Sequence, residues 1–347
     1  LFIQYLFLFM ADNLLTRITA TIPWKYIVRR TLYCIPVYLG ILLLLMLILR
    51  VRDPVPAFMG KNATLEDIAA KRKEVGLDQP FLVQYGRFVG QLLTFNFSEE
   101  SWQQQGRTVG EIVGGGLGPT LALTAPALLL TTCISVCISL IAAWFRGRLA
   151  DRLLVFFAVL GMSISFLVYI ILGQYMLGYA IRSDDFAPFA ISGYESIHQA
   201  GLWAYLTSKW PYYCLLPVLI SVIVSTGYDT RFYRAVMVEE TQRDYITTAR
   251  AKGAGESRIM FLHLLKNAMI PVITRVSISI PFLITGSFLL EMYFRIPGVG
   301  RALITAVNQA DFPVVQTIGA VFAVAYLATN LLTDVLYAMV DPRVRLS

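Results

Sequence analysis

The sequence predicts an all-α polytopic membrane protein with six transmembrane helices and a small helical insertion after the first. Three observations lead there. Charged residues are 15% and hydrophobic residues 57% of the 347 positions, whereas soluble domains carry about 25% charged residues. Mean hydropathy is +0.64. Six apolar runs, none with a charge in its middle, approach or exceed the roughly 20 residues that cross hydrocarbon as a helix. They cover about 31–49, 120–145, 153–181, 211–228, 276–290 and 315–333.

The net charge of +7 is unevenly placed. Lys25, Arg29 and Arg30 precede the first run, and Arg146, Arg148 and Arg152 fill the link between the second and third. Arg231, Arg234, Arg243, Arg250, Lys252, Arg258, Lys266 and Arg275 crowd the link between the fourth and fifth; Arg343 and Arg345 end the chain. All lie on one side of a six-span protein. On the other side Asp184, Asp185 and Glu195 outnumber Arg182 and Lys209. The positive-inside rule then puts both termini and the link between spans four and five in the cytoplasm. The basic residues read as topology and give no support to a nucleic-acid partner.

Taken in order, residues 1–23 form an N-terminal extension that opens LFIQYLFLFM, too short to span; it is either interfacial or an upstream extension before Met10. The outer region at about 51–118 holds two helices. Thr64 caps the first, with Glu66 and Asp67 in its opening turn and Gly76 at its stop. Gln79-Pro80 opens the second, whose apolar face is Phe81, Tyr85, Phe88, Val89 and Leu92. Gly114 to Pro119 is expected to break the chain just before the second span, with Pro119 as its first helical residue. Beyond the fifth run, Pro297-Gly298 marks a turn and 299–309 a short helix, before Asp311-Phe-Pro313 leads into the last span. Cys34, Cys133, Cys137 and Cys214 all sit in apolar runs and read as small buried residues; no disulfide framework supports the outer loops.

Enzyme chemistry finds no foothold, and no cofactor is expected in this chain. The two histidines, His198 and His263, have no metal-ligand spacing, Gly60-Lys61 lacks the rest of a phosphate-binding loop, and no serine sits in a GxSxG turn. An ion-coupled carrier would place ionisable groups near the membrane midplane. Asp229, Arg275, Glu291 and Asp334 instead fall at or near span ends, where solvent or headgroups are expected to reach them.

The remaining anomaly is DYITTARAKGAGESRIMFLHLLKNAMIP, residues 244–271. Glu239, Glu240 and Arg243 can pair along a helix that extends the fourth span. Tyr245, Ile246 and Ala249 continue one face, and Gly253 ends it. Ala254-Gly255 permits a bend, and Glu256 opens a second helix running to about Ala268 with Ile259, Phe261, Leu262, Leu264 and Leu265 as its apolar residues.

Asp244-Tyr245, Thr248-Ala-Arg-Ala-Lys-Gly253, Lys266-Asn267-Ala268 and Pro271 resemble the cytoplasmic "EAA" loop of ATP-binding-cassette (ABC) importer permeases, in the form of the B-type subunit of the dipeptide/oligopeptide/nickel group. Agreement extends over 24–347: Trp24-Lys-Tyr-Ile-Val-Arg-Arg30, Gly76-Leu-Asp-Gln-Pro80, Pro119-Thr-Leu-Ala-Leu123, Pro297-Gly-Val-Gly300, Asp311-Phe-Pro-Val-Val-Gln316 and Asp341-Pro-Arg-Val-Arg345. The chain departs from the general pattern in keeping only Ala249 of the opening triplet and in placing Lys266 at the closing proline position.

The resemblance implies a type I ABC importer permease fold in a bacterial inner membrane. It implies a heterodimer with a second, homologous permease, two ATPase subunits that use ATP and Mg, and an extracytoplasmic binding protein that delivers a peptide. Coupling to the ATPases would fall to the loop at about 239–271, on Asp244, Tyr245, Thr248, Ala249, Arg250, Ala251, Lys252, Gly253, Gly255, Glu256 and Asn267. Polar residues inside the spans, namely Ser163, Ser165, Tyr169, Gln174, Ser277, Ser279, Thr285 and Asn330, either line a pathway between the permeases or bond between helices. Spans without fixed charge suit a zwitterionic or neutral cargo such as a short peptide. Nickel or another small solute, and an ion-coupled carrier, are the alternatives.

Overall fold

The computed structural model describes residues 24–51, 55, 64–104, 106–183, 186–196, 201–285 and 287–340. The N-terminal extension, Gly60-Lys61, Asp184, Asp185, His198 and the terminal Asp341 to Arg345 lie outside the described residues, as does the Thr285 side chain.

With no water in hydrocarbon to satisfy backbone groups, an apolar run must bond within itself, and a helix does so completely. Among the described residues five helices are long and apolar enough to cross a membrane: Val28–Leu49, Val109–Trp144, Tyr205–Glu240, Glu256–Tyr293 and Phe312–Asp334. A bent pair, Leu149–Ser163 and Phe166–Ala180, meets at 89° and is long and apolar enough to make a sixth if the two arms act as one. Among the described residues the only β pairing is an isolated bridge between Glu100 and Thr108.

The first span is α1 (Trp24–Leu49). Outside it, α2 (Leu65–Glu74) starts on a capping box in which the Thr64 hydroxyl and the Asp67 carboxylate satisfy each other's backbone amides. The next helix, α3 (Phe81–Leu93), packs its expected face of Phe81, Tyr85, Phe88, Val89 and Leu92 against Leu42 and Met46 of α1 and against Ala320. The Tyr85 hydroxyl donates to the Leu39 carbonyl at 2.8 Å.

The break expected at Gly114 to Pro119 does not occur. Helix α4 (Val109–Trp144) starts earlier, on a Thr108–Glu111 capping box, and runs through the glycines, Pro119 and Pro126. Gly116 acts here as packing surface: a side chain there would collide with the backbone at Gly298 and Val299.

The third run is not one straight span. Helix α5 (Leu149–Ser163) ends where Ile164 and Ser165 turn extended, and α6 (Phe166–Gly173) leaves at a new angle and continues as the wide turn Gln174–Ala180. Side chains bond to carbonyls around the bend: Ser163 donates to Val159 O at 2.7 Å and Tyr169 to Gly161 O at 2.9 Å. Hydropathy does not report this, because both arms are apolar.

The fourth span is α7 (Trp210–Glu240), longer than the 211–228 expected, and led in by the turn Tyr205–Lys209. It packs along α4 and α5, where Ser139 donates to Thr230 O at 3.0 Å and Gly227 admits the α5 backbone. It does not extend through Tyr245: residues 241–243 break it before α8 (Asp244–Ala251).

Beyond the corner, Glu256–Arg258 and the wide turn Ile259–Leu264 run straight into α9 (Leu265–Ser279), so this helix passes Ala268 and carries Pro271 inside it. The expected unbroken span at 276–290 is divided into the end of α9, α10 (Pro281–Thr285) and α11 (Phe288–Tyr293). Pro281 lacks the N–H that would continue α9 and instead opens a new helix. The short helix after Pro297-Gly298 is α12 (Val299–Asn308), and the last span is α13 (Phe312–Val340). Asp311 at its head accepts from the Ser101 hydroxyl and from Trp102 N at 3.2 Å, and Trp102 stacks on Phe312 at 5.7 Å. At its other end Asp334 pairs with Arg30 at 2.6 Å.

Candidate functional site

Two features stand out. The first is the corner between α8 and the helix that opens at Glu256. Helix α8 ends in a Schellman motif: Ala254 N donates to Ala249 O at 3.1 Å and Gly253 N to Arg250 O at 3.0 Å. The motif needs a left-handed residue, and Gly253 supplies it at φ +76°. Gly255, by contrast, holds φ −64° and ψ 153°, which any residue adopts. Arg250 and Glu256 close the corner with an ion pair at 3.1 Å; both are well exposed, so it contributes under about 1 kcal/mol.

The corner is mounted rigidly. Ile246 and Ala249 of α8 are buried with Ile259, Met260 and Leu264, against Val136 and Leu140 of α4 and Tyr233 and Met237 of α7. The Tyr245 hydroxyl donates to Glu240 at 2.7 Å, and Arg243 pairs with Glu239 at 2.7 Å. Burial, with the Glu240 carboxylate beside it, pushes the Tyr245 phenol up to about 12. Asp244, Thr248, Arg250, Ala251, Lys252, Gly253, Gly255 and Glu256 are left exposed, as is Asn267, whose amide donates to His263 O at 3.1 Å. Ala249 faces inward and takes no part in that surface. Phe261 and Leu262, read from sequence as part of the second helix's apolar set, turn outward instead and are 54% and 47% exposed. The wide turn at Ile259–Leu264 puts the buried face on Ile259, Met260 and Leu264.

The second feature is a cavity of about 890 Å³ between α4, the α5–α6 bend, α7 and the broken fifth span. Of the polar residues picked out within the spans, Ser163, Ser165 and Ser279 line it. Tyr169 and Gln174 do not: Tyr169 holds the bend, and Gln174 donates to Ile191 O and Tyr293 O at 3.0 and 3.1 Å. Ser277 is buried and Asn330 exposed, both away from the cavity. Sequence reasoning missed Ser221, Ser225, Tyr228 and Asp229, also on the wall. Their spacing of four, three and one along α7 is a polar stripe on one helix face, a signal that was present.

Asp229 and Arg275 correct a further expectation. Asp229 is only 8% exposed, and the partly exposed Arg275 donates through Nε to its Oδ1 at 3.1 Å across the cavity wall. Glu291 is completely buried. Its carboxylate accepts from Thr120 Oγ1 at 2.9 Å and Arg301 N at 2.8 Å, while Thr120 accepts from Val299 N at 2.9 Å. That network pins the α11–α12 turn to α4. Reading each charge alone hid both arrangements, because their partners lie far away in the chain.

Comparison with known proteins is consistent along the chain. A family profile described as binding-protein-dependent transport system inner membrane component matches residues 135–346, and its N-terminal companion matches 24–106. A probable peptide ABC transporter permease of Sinorhizobium fredii is 32% identical over 322 residues, 92% of this chain and 99% of its own. A glutathione transport system permease of Salmonella typhimurium is 32% identical over 324 residues, with the same coverage. An oligopeptide transport system permease of Bacillus subtilis is 31% identical over 322 residues, 92% of this chain and 98% of its own.

Proposed function

The chain belongs to the family of binding-protein-dependent transport system inner membrane components, and on that premise we propose that it carries di- or oligopeptides across the inner membrane by alternating access. At the coarser level it is a permease subunit of a peptide-family ABC importer, a membrane-spanning transport component and not an enzyme. The names of its relatives, which speak of peptides, oligopeptides and glutathione, support a peptide cargo.

The observation that carries the proposed mechanism is the mounting of the corner. An exposed rim from Arg250 to Glu256 stands on a buried cluster drawn from α4, α7 and the fifth span. A push on that rim moves three spans as one body, and those spans wall the cavity. In this reading two ATPase subunits seat the corner, a second homologous permease closes the open side of the cavity, and a binding protein presents cargo at the face carrying α2 and α3. ATP and Mg act in the ATPases. Residues 24–347 then form one permease domain, with both termini and the 239–271 loop on the cytoplasmic side.

The test is uptake of labelled di- to hexapeptides by proteoliposomes holding the full complex. ATP-dependent accumulation is expected, with none when the ATPases are left out. Failure to accumulate any peptide in that range removes the cargo assignment, and accumulation driven by an ion gradient without ATP removes the mechanism.

A further inference from the structure

The cavity is apolar over most of its wall, yet it holds two charged side chains, Asp229 and Arg275. Ionisable groups inside spans are costly and mark pathways when they face a cavity. The pair is incomplete as a salt bridge. Arg275 uses only Nε toward Asp229 Oδ1, at 3.1 Å, and among the described residues neither Nη atom has a hydrogen-bond partner. One face of the guanidinium lies over the Phe232 ring at 6.0 Å, which restrains its plane. The side chain remains 42% exposed while that of Asp229 is 12% exposed. Asp229 thus holds the guanidinium in place without consuming its two-nitrogen edge.

That edge matches a carboxylate, which it can grip with two parallel charge-assisted bonds. Ser225, one turn before Asp229, shares the same wall and presents a hydroxyl to neighbouring polar atoms. Tyr228 beside Asp229 and Ser279 one turn beyond Arg275 donate theirs to Met162 O at 3.4 Å and Arg275 O at 3.0 Å, and keep only lone pairs facing outward. We propose that Arg275, positioned by Asp229, binds the C-terminal carboxylate of the cargo during passage through the membrane. This rests on the peptide reading above and revises the expectation of a pathway without fixed charge. A guanidinium edge left open beside its partner carboxylate, in a mostly apolar chamber, would accept varied side chains while orienting every cargo by the group all peptides share.

The test uses the reconstituted complex with its binding protein held saturating, so that only the permease differs between samples. Three tripeptides are compared: a free acid, its C-terminal amide, and an amide carrying a central Glu. Arg275→Lys keeps the charge but loses the fork, and the neutral pair Asp229→Asn with Arg275→Gln avoids leaving a buried carboxylate alone. The acid-to-amide uptake ratio is expected to fall about tenfold or more in both variants, the effect of losing one charge-assisted pair, with amide uptake retained. If the amide bearing Glu behaves like the free acid, any cargo carboxylate serves and the C-terminal assignment falls. An unchanged ratio overturns the proposal. So does parallel loss of acid and amide uptake in every variant, the result expected if the guanidinium holds the partner permease instead. Absence of peptide uptake by the unaltered complex refutes the cargo reading itself and is distinguishable from all of these.

Discussion

Gly255 separates docking from folding at the proposed coupling corner. Its φ of −64° and ψ of 153° are open to any residue, and an added Cβ there would meet nothing within 4 Å. Gly255→Leu should therefore leave the isolated chain's thermal midpoint in detergent within the range of ordinary surface changes, about 0.5 kcal/mol. In the assembled complex the same side chain would have to fit an ATPase surface. Overpacking costs roughly 1–3 kcal/mol, so peptide accumulated per ATP hydrolysed should fall on the order of tenfold. Gly253 is the complementary control. Its Cβ would also meet open space, but its φ of +76° is left-handed, so Gly253→Ala costs about 1–2 kcal/mol by straining the corner itself. Gly253→Asn should cost less, since Asn tolerates that region. Proteoliposome uptake and ATP hydrolysis measured together decide it. Full coupling in Gly255→Leu would refute the idea that a partner sits against this corner.

Three further outcomes follow from single contacts. Gly298→Ala would drive a methyl group into the buried Glu291 carboxylate, lowering the thermal midpoint by an equivalent of about 1–3 kcal/mol; an unaltered midpoint would show that the α11–α12 turn yields freely. Asp151 accepts two bonds from Arg234, at 2.7 and 2.8 Å, and one from Gly147 N at 2.9 Å, so Asp151→Ala should destabilise by about 2–3 kcal/mol, read from the same melts. Tyr85→Phe removes the bond that ties α3 to Leu39 O and should cost about 1 kcal/mol, visible as faster amide hydrogen exchange in 81–93 while the spans keep their protection.

Much of the corner was legible because its determinants are local. Gly253 after a helical run, Arg250 and Glu256 about it and the buried Ile246 follow from helix-stop chemistry and residue spacing. The outward turn of Phe261 and Leu262 was not legible, since the wide helical turn at Ile259–Leu264 shifts the face by a fraction of a residue per turn. At the cavity, serines on the α5–α6 bend were picked out by residue type. Asp229 and Arg275 were misplaced because each was judged without the other.

By itself the sequence determined which runs form long apolar helices and where a glycine corner interrupts the link from the fourth to the fifth. Those depend on apolar run length and on backbone preferences acting over a few neighbours. Only the tertiary structure decided that Gly114 to Pro119 stays helical, that the third span folds back at Ile164, and that Asp229 and Glu291 are buried with partners 46 and 171 residues away. In each case the deciding energy is a contact with another helix. A carbonyl, a carboxylate or a glycine face is stable or not according to what lies opposite, and no local pattern records that.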